Sequence, residues 1–261
     1  MIWLEMLLLA FVQGVGEFLP ISSSGHVVVG LALCRQFGHP IADELTVNIV
    51  LHVGTLLAIL IFYRRRILDL LGQDRRVIGL LIVGSIPAAI VGLLLKEHLE
   101  GTLKDPLVAG LMFPITGAML LWTARWLPGK ATCRELGYGH ALLIGVFQAF
   151  AIMPGISRSG ATIVAGLGTG LRRDEAATFS FLLAIPAIGG AGLIECVKLA
   201  REATLGSNLG VLAVGAAVSF VVGWASLWWL VRWLQQGWLH YFAWWVIPLG
   251  LVVIAWQLLP L

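Results

Sequence analysis

Gly14-Val15-Gly16-Glu17-Phe18-Leu19-Pro20-Ile21-Ser22-Ser23-Ser24-Gly25-His26 interrupts an otherwise apolar stretch, 2–34, and its reading decides the fold. A single crossing helix needs roughly 20 mostly apolar residues. The stretch is too long for one simple crossing and is broken at its centre by Gly, Pro and Ser. We read it as a re-entrant helix–turn–helix pair. Irregular backbone is tolerated at membrane depth only where protein buries it or where it lines a wet cavity. A second stretch, 138–171, carries Met153-Pro154-Gly155-Ile156-Ser157-Arg158-Ser159-Gly160 at its centre and reads the same way.

The two stretches are copies. A shift of 135 residues lays Ile21-Ser22-Ser23-Ser24-Gly25 on Ile156-Ser157-Arg158-Ser159-Gly160, and Gln13 on Gln148. Six other stretches have the length of a crossing: 47–63, 77–95, 106–124, 176–197, 208–231 and 241–259. The same shift carries the first three of these onto the last three, within a few residues. Residues 1–135 and 136–261 therefore read as two repeats, each a re-entrant pair followed by three crossings. An odd number of crossings inverts the second copy relative to the first. The expected fold is an all-α polytopic membrane protein with an inverted-topology repeat, six transmembrane helices and two re-entrant helix–turn–helix pairs, an architecture known from transporters.

Composition agrees with lipid as the solvent. Of the 261 residues, 59% are hydrophobic and 12% charged, with mean hydropathy +0.94, where a soluble domain carries roughly 25% charged residues. The net charge of +3 is too small to argue for nucleic acid. Cys34, Cys133 and Cys196 stand singly, without metal-binding spacing, and read as small apolar fillers. The residues Met1-Ile2-Trp3-Leu4-Glu5 offer neither a basic n-region nor a small-residue cleavage site, so no cleaved signal peptide is expected.

Loop charge sets the expected orientation. Arg64, Arg65, Arg66, Arg75, Arg76, Arg125, Lys130, Arg134, Arg172, Arg173 and Arg232 fall on one side. Arg35, Lys96, Lys104, Lys198 and Arg201 fall on the other. The richer side is expected to be cytoplasmic, which leaves both termini outside and makes the first re-entrant pair enter from outside.

Glu17, His26, Arg158 and a set of hydroxyls are what such a fold would bury, and an ionisable residue at depth is a functional hypothesis by default. Arg158 is a permanent cation whose planar fork matches phosphate bidentately. It stands at the start of a helix whose first N–H groups, on Ser159, Gly160 and Ala161, favour anions. Ser157, Ser159 and Thr162 add hydroxyl donors, so the second break reads as a phosphate cradle. A structural Arg158–Glu17 pair holding the repeats together is the competing reading.

The first break keeps the hydroxyl-rich turn, Ser22-Ser23-Ser24, but has Ser23 where the second has Arg158. Glu17 precedes that turn and His26 follows it. A hydroxyl, an imidazole and a carboxylate beside an anion cradle are the parts of phosphoryl-transfer chemistry. Ser22 and Ser24 are expected at the substrate, with Ser22 alternatively an N-cap for a helix over 23–34. Gln13 lies one turn before Glu17 on the same face, where it either shares a metal or satisfies backbone. Asn48 and His52 share a face of the 47–63 helix, and His52 reads equally as a satisfied core residue. The tryptophans Trp224, Trp228, Trp229, Trp233, Trp238, Trp244 and Trp245 read as an interfacial belt.

At these residues the chain resembles the undecaprenyl pyrophosphate phosphatases linked to bacitracin resistance. The resemblance rests on Gln13-x-x-x-Glu17 running into Phe18-Leu19-Pro20-Ile21-Ser22-Ser23-Ser24-Gly25-His26, and on Pro154-Gly155-Ile156-Ser157-Arg158-Ser159-Gly160-Ala161-Thr162. It implies hydrolysis of undecaprenyl diphosphate to the monophosphate and inorganic phosphate, recycling the carrier lipid for cell-wall synthesis in the bacterial inner membrane. It also implies a divalent cation, Mg2+ or Ca2+. By that resemblance Glu17 would be a metal or acid/base carboxylate, with Gln13 beside it where the family pattern allows Glu or Gln. Ser23 and His26 would be the nucleophile and acid/base pair, in an order left open. Ser157, Arg158, Ser159, Gly160 and Thr162 would hold the pyrophosphate. Expected partners are a polyprenyl pyrophosphate and membrane lipids; the sequence leaves the oligomeric state open and allows a homodimer.

A transporter or flippase for a lipid phosphate or small anion is the competing class, favoured by the inverted repeat. It needs an anion site but has no use for Ser23, His26 and Glu17 beside it. The asymmetry between the copies, acid/base residues in one and the arginine in the other, points to the enzyme.

Overall fold

Proline decides where the first helix stops. The residue before a proline is disfavoured in helical conformation, and α1 (Ile2–Phe18) ends just before Leu19-Pro20. The chain turns through Leu19–Ser22, and α2 (Ser23–Gln36) begins at once, capped by Ser22, whose hydroxyl accepts from Gly25 N at 3.3 Å. The second stretch repeats the plan. After α7 (Tyr138–Phe150; labels run in chain order) the turn holds Pro154 and Gly155, and Ser157 caps α8 (Arg158–Gly168) by accepting from Gly160 N at 3.1 Å. Gly155 sits at φ +92, where a Cβ would be strained and would also collide with Ala109 O.

The computed structural model describes residues 2–38, 44–94, 101–126, 129–202 and 209–259. Lys96 lies outside the described residues, as do the side chains of Lys198, Arg201 and Cys196. Among the described residues the secondary structure is helical apart from one isolated bridge, Ala131 to Leu171. The remaining helices are α3 (Glu44–Phe62), α4 (Arg64–Leu71), α5 (Arg75–Leu94), α6 (Pro106–Thr123), α9 (Arg173–Glu202), α10 (Leu209–Gln235) and α11 (Ala243–Leu258), with short 3-10 turns at Cys133–Glu135 and Trp238–Phe242.

Among the described residues four helices are long and apolar enough to cross a membrane: Arg75–Leu94, Pro106–Thr123, Gly210–Gln235 and Trp238–Leu258. A fifth counts if Thr46–Phe62 and Arg64–Leu71, bent by 70°, form one span. These answer to the expected 77–95, 106–124, 208–231, 241–259 and 47–63. The expected crossing 176–197 falls within α9, which starts earlier and runs on to Glu202. The chain is a multi-pass membrane protein, and its outward rows of Leu, Ile, Val and Trp are the surface such a protein offers to lipid.

Packing is close because small residues let backbones approach, as membrane helices require. Helix α1 lies against α10 and α3, α5 lies against α7 and α9, and α6 lies against α11. Where α5 meets α7, a Cβ on Gly145 would strike the carbonyl of Gly84; where α3 meets α10, one on Gly54 would strike Ala216 O. Phe18, Phe113, Phe179 and Phe181 fill the centre.

The arginine-rich loops are tied together. Buried Asp74 accepts from Arg66 and pairs with Arg134, while Arg76 donates to Leu136 O at 2.8 Å. Cys133 N donates to Glu175 at 2.7 Å. Cys133 is fully buried, and that burial, with Glu175 beside it, pushes its thiol well above the usual range. It is an inert filler, as its isolation in the sequence predicts.

Candidate active site

Glu17 stands in the last turn of α1, 7% exposed, where an unpartnered carboxylate would be costly. It has several partners. Gln13, one turn back, donates its amide to Oε2 at 3.0 Å. Ser23, the first residue of α2, donates its hydroxyl to the same oxygen at 2.9 Å. Arg158, the first residue of α8, donates Nη2 to Oε1. His52 on α3 brings Nε2 to 3.8 Å from Oε2. The two serine-rich breaks thus meet at one carboxylate.

The backbone there is held from several directions. Ser22 is the one non-glycine residue with positive φ, 70°, among those described. Such conformations persist where the surroundings over-determine them. The Ser22 hydroxyl accepts from Gly25 N and also from Gly155 N, at 3.1 Å, so it joins the two breaks. Thr116 of α6 donates to Gly155 O at 2.7 Å and accepts from Ser157 N at 3.0 Å. Ser157 and Ser159 share a hydrogen bond at 3.1 Å, and Ser159 reaches Leu19 O at 3.4 Å.

Not every expected residue faces the carboxylate. Gln13, Glu17, Ser23 and Arg158 come together. Ser22 acts as the N-cap, the alternative weighed for it. Ser24 is exposed and shares a hydrogen bond with Ser22 at 3.3 Å. Thr162 turns its hydroxyl back to Arg158 O at 2.8 Å and pairs with buried Ser180 of α9, so it braces the first turn of α8. Gly160 spends its N–H on the Ser157 cap. His26 is bonded at both ring nitrogens, to Ser22 O at 2.8 Å and to the indole N–H of Trp245 at 3.0 Å.

Some participants were harder to see. His52 shares a face with Asn48, and its Nδ1 lies 2.8 Å from Asn48 O; sequence alone does not say that this face meets Glu17. Thr116 and Ser180 are single hydroxyls inside apolar helices, without a pattern around them. Gln148, the counterpart of Gln13, is buried, and its amide atoms have no hydrogen-bond partner among the described residues.

Arg158 keeps one guanidinium nitrogen, Nη1, buried and without a hydrogen-bond partner among the described residues. A buried donor of that kind is expensive unless something binds it, and phosphate oxygens suit it. Among the described residues no group of three or more His, Cys, Asp or Glu is assembled. The oxygens at hand are the Glu17 carboxylate and the Gln13 amide. That small, hard set suits a cation which completes its shell on phosphate oxygens.

Comparison with known proteins gives concordant findings. Residues 6–252 match the model of the family described as bacitracin resistance protein BacA. The chain is 48% identical over 252 residues to an undecaprenyl-diphosphatase of Rhodopirellula baltica, covering 96% of each chain. It is 38% identical to undecaprenyl-diphosphatase 3 of Bacillus cereus, over 98% of this chain and 97% of that one. An undecaprenyl-diphosphatase of Methanosphaera stadtmanae is 38% identical, with 96% of each covered.

Proposed function

The chain belongs to the bacitracin resistance protein BacA family, and from that premise we propose that it hydrolyses undecaprenyl diphosphate at the cluster around Glu17. The products are undecaprenyl phosphate and inorganic phosphate. The observation that carries the assignment of the site is the meeting of Ser23, Arg158 and Gln13 on one buried carboxylate.

Ser23 Oγ attacks the terminal phosphorus as its proton passes to Glu17 Oε2, to which it is already hydrogen-bonded. The bond from that phosphorus to the bridging oxygen breaks, and undecaprenyl phosphate departs with the bridging oxygen. Water then attacks the phosphoserine, the bond from phosphorus to Ser23 Oγ breaks, Glu17 returns its proton to that oxygen, and inorganic phosphate leaves. His26, one turn beyond Ser23 on the same helix face, accepts the proton of that water. Arg158 turns its unpartnered nitrogen to the phosphate oxygens and meets the charge that develops there. A divalent cation, Mg2+ or Ca2+, would be held by Glu17 and the Gln13 amide oxygen, and when bound it neutralises charge on the pyrophosphate. The reacting group lies at the breaks between helices, which lets the prenyl tail stay in lipid.

The same reading gives six crossings and two inverted repeats, 1–135 and 136–261. A shift of 135 residues carries the start of α2, Ser23, onto the start of α8, Arg158, and turns the pairing of α1 with α10 into that of α7 with α5. The arginine-rich loops face the cytoplasm of the bacterial inner membrane and the cluster opens outward, in keeping with the loop-charge rule. The mass of the solubilised protein distinguishes a homodimer from a single copy.

The test is phosphate release from undecaprenyl diphosphate by the purified protein, before and after chelation. Release that stops with chelator and returns with Mg2+ or Ca2+ supports the reading. A folded protein that binds the lipid and releases no phosphate contradicts it, and favours transport.

A further inference from the structure

Trp245 lies among a row of tryptophans that lipid-facing helices use as an interfacial belt, and it is 55% exposed. One edge of it does something else. Its indole N–H points at His26 Nε2 from 3.0 Å, and the two ring planes lie within 8° of each other with centroids 6.2 Å apart. The near-parallel rings meet edge to edge at hydrogen-bonding distance, donor nitrogen to ring nitrogen.

The chemistry of the two groups fixes the proton. An indole nitrogen is a donor only, so His26 Nε2 must be the acceptor and carries no hydrogen. The ring proton then sits on Nδ1, whose neighbour at 2.8 Å is Ser22 O, an acceptor only. Each bond requires the other. The ring of Phe113, packed edge-on at 5.2 Å and fully buried, blocks rotation on a third side. Ser22 is itself fixed, by its cap on Gly25 N and its bond to Gly155 N. His26 is thereby held as a neutral imidazole with a lone pair on Nε2, the nitrogen farther from its own backbone.

We propose that Trp245 is a positioning residue for His26: its indole holds the histidine in the Nδ1–H tautomer, with Nε2 as a base ready for the water that frees phosphate. The bond joins α11 to the first turn of α2 and so brings the last helix to the site. When water binds at Nε2, it takes the place of the indole N–H. The proposal rests on the role given to His26 in the proposed hydrolysis.

The experiment combines kinetics with nitrogen NMR. Phosphate release from undecaprenyl diphosphate is measured for the wild type, Trp245→Phe, His26→Ala and the double variant. Trp245→Phe keeps an aromatic ring and removes the donor. It should lower kcat about 10–100-fold, the size of loss seen when a metal-bound histidine loses its orienting partner, with KM within about twofold. The double variant should be no slower than His26→Ala alone. In protein labelled with 15N-histidine, wild-type His26 should show a protonated Nδ1 and a bare Nε2, and Trp245→Phe should populate the other tautomer. A wild-type His26 protonated on Nε2 overturns the proposal without any variant. Unchanged kcat in Trp245→Phe, or a further loss in the double variant, overturns it as well. If His26→Ala keeps full activity, the catalytic role of His26 fails, and the nitrogen signals still report separately whether the indole sets the tautomer.

Discussion

Arg158 donates to Glu17 across 141 residues of sequence, and through that pair the first residue of α8 closes on the last turn of α1. The cation and the carboxylate neutralise each other in a place where neither would be stable alone. The contact ties the two breaks together and, in the proposed hydrolysis, is the point where the pyrophosphate is received.

The two roles of this pair separate by substitution. Arg158→Ala leaves the carboxylate buried and unpaired and should cost about 3–5 kcal/mol of stability, in line with other broken buried pairs. Removing both charges, as Glu17→Gln with Arg158→Gln, should recover most of that stability, read as the melting temperature in detergent, and recover no phosphate release. Arg158→Lys should keep the fold and lose at least about 100-fold in kcat/KM, because an ammonium lacks the planar fork.

Neighbouring serines should behave differently. Ser22→Ala removes an N-cap and the bond to Gly155, and should lower stability by about 1–2 kcal/mol. Ser23→Ala loses a hydrogen bond to Glu17 and little packing, so the melting temperature should move by only a few degrees while phosphate release ceases. Comparing the two variants in one melting and activity series checks both.

On the arginine-rich side, Asp74 forms ion pairs with both Arg66 and Arg134. Asp74→Asn should destabilise the protein by about 1–3 kcal/mol, less than for a fully enclosed pair because Arg134 is 58% exposed and can turn to water. The melting temperature should fall while kcat of the folded fraction stays unchanged.

Burial of Cys133 predicts silence toward thiol reagents. N-ethylmaleimide should leave it unlabelled in the native protein and label it once denaturant is added, as read by mass mapping of the peptide that contains it. Burial disfavours the thiolate, which is the reactive form; raising the pH moderately should not expose it.

The sequence was legible where the physics is local. Pro20 stops α1, Ser22 and Ser157 cap the helices after the two breaks, and the long helices begin and end within a few residues of where hydropathy puts them. Glu17 and Arg158 were legible because charge at membrane depth demands a reason. What could not be read was which helix face meets which. His52 shows the difficulty: its spacing to Asn48 is visible, while its approach to Glu17 depends on how α3 packs against α1. Trp245 was hidden by its company, since nothing local separates it from the other tryptophans. Thr162 shows a further difficulty: a hydroxyl four residues after Arg158 can reach the Arg158 carbonyl of its own helix, and in the structure it does.

The most direct measurement is phosphate release from undecaprenyl diphosphate by wild type, Glu17→Ala and Arg158→Ala, purified in detergent, each first shown by its melting transition to be folded. The account predicts steady release from the wild type and a loss of at least about 1,000-fold in both variants, as expected when charge stabilisation at a phosphoryl centre is removed. Wild-type rates in a folded Glu17→Ala protein would contradict it and move the chemistry away from this carboxylate.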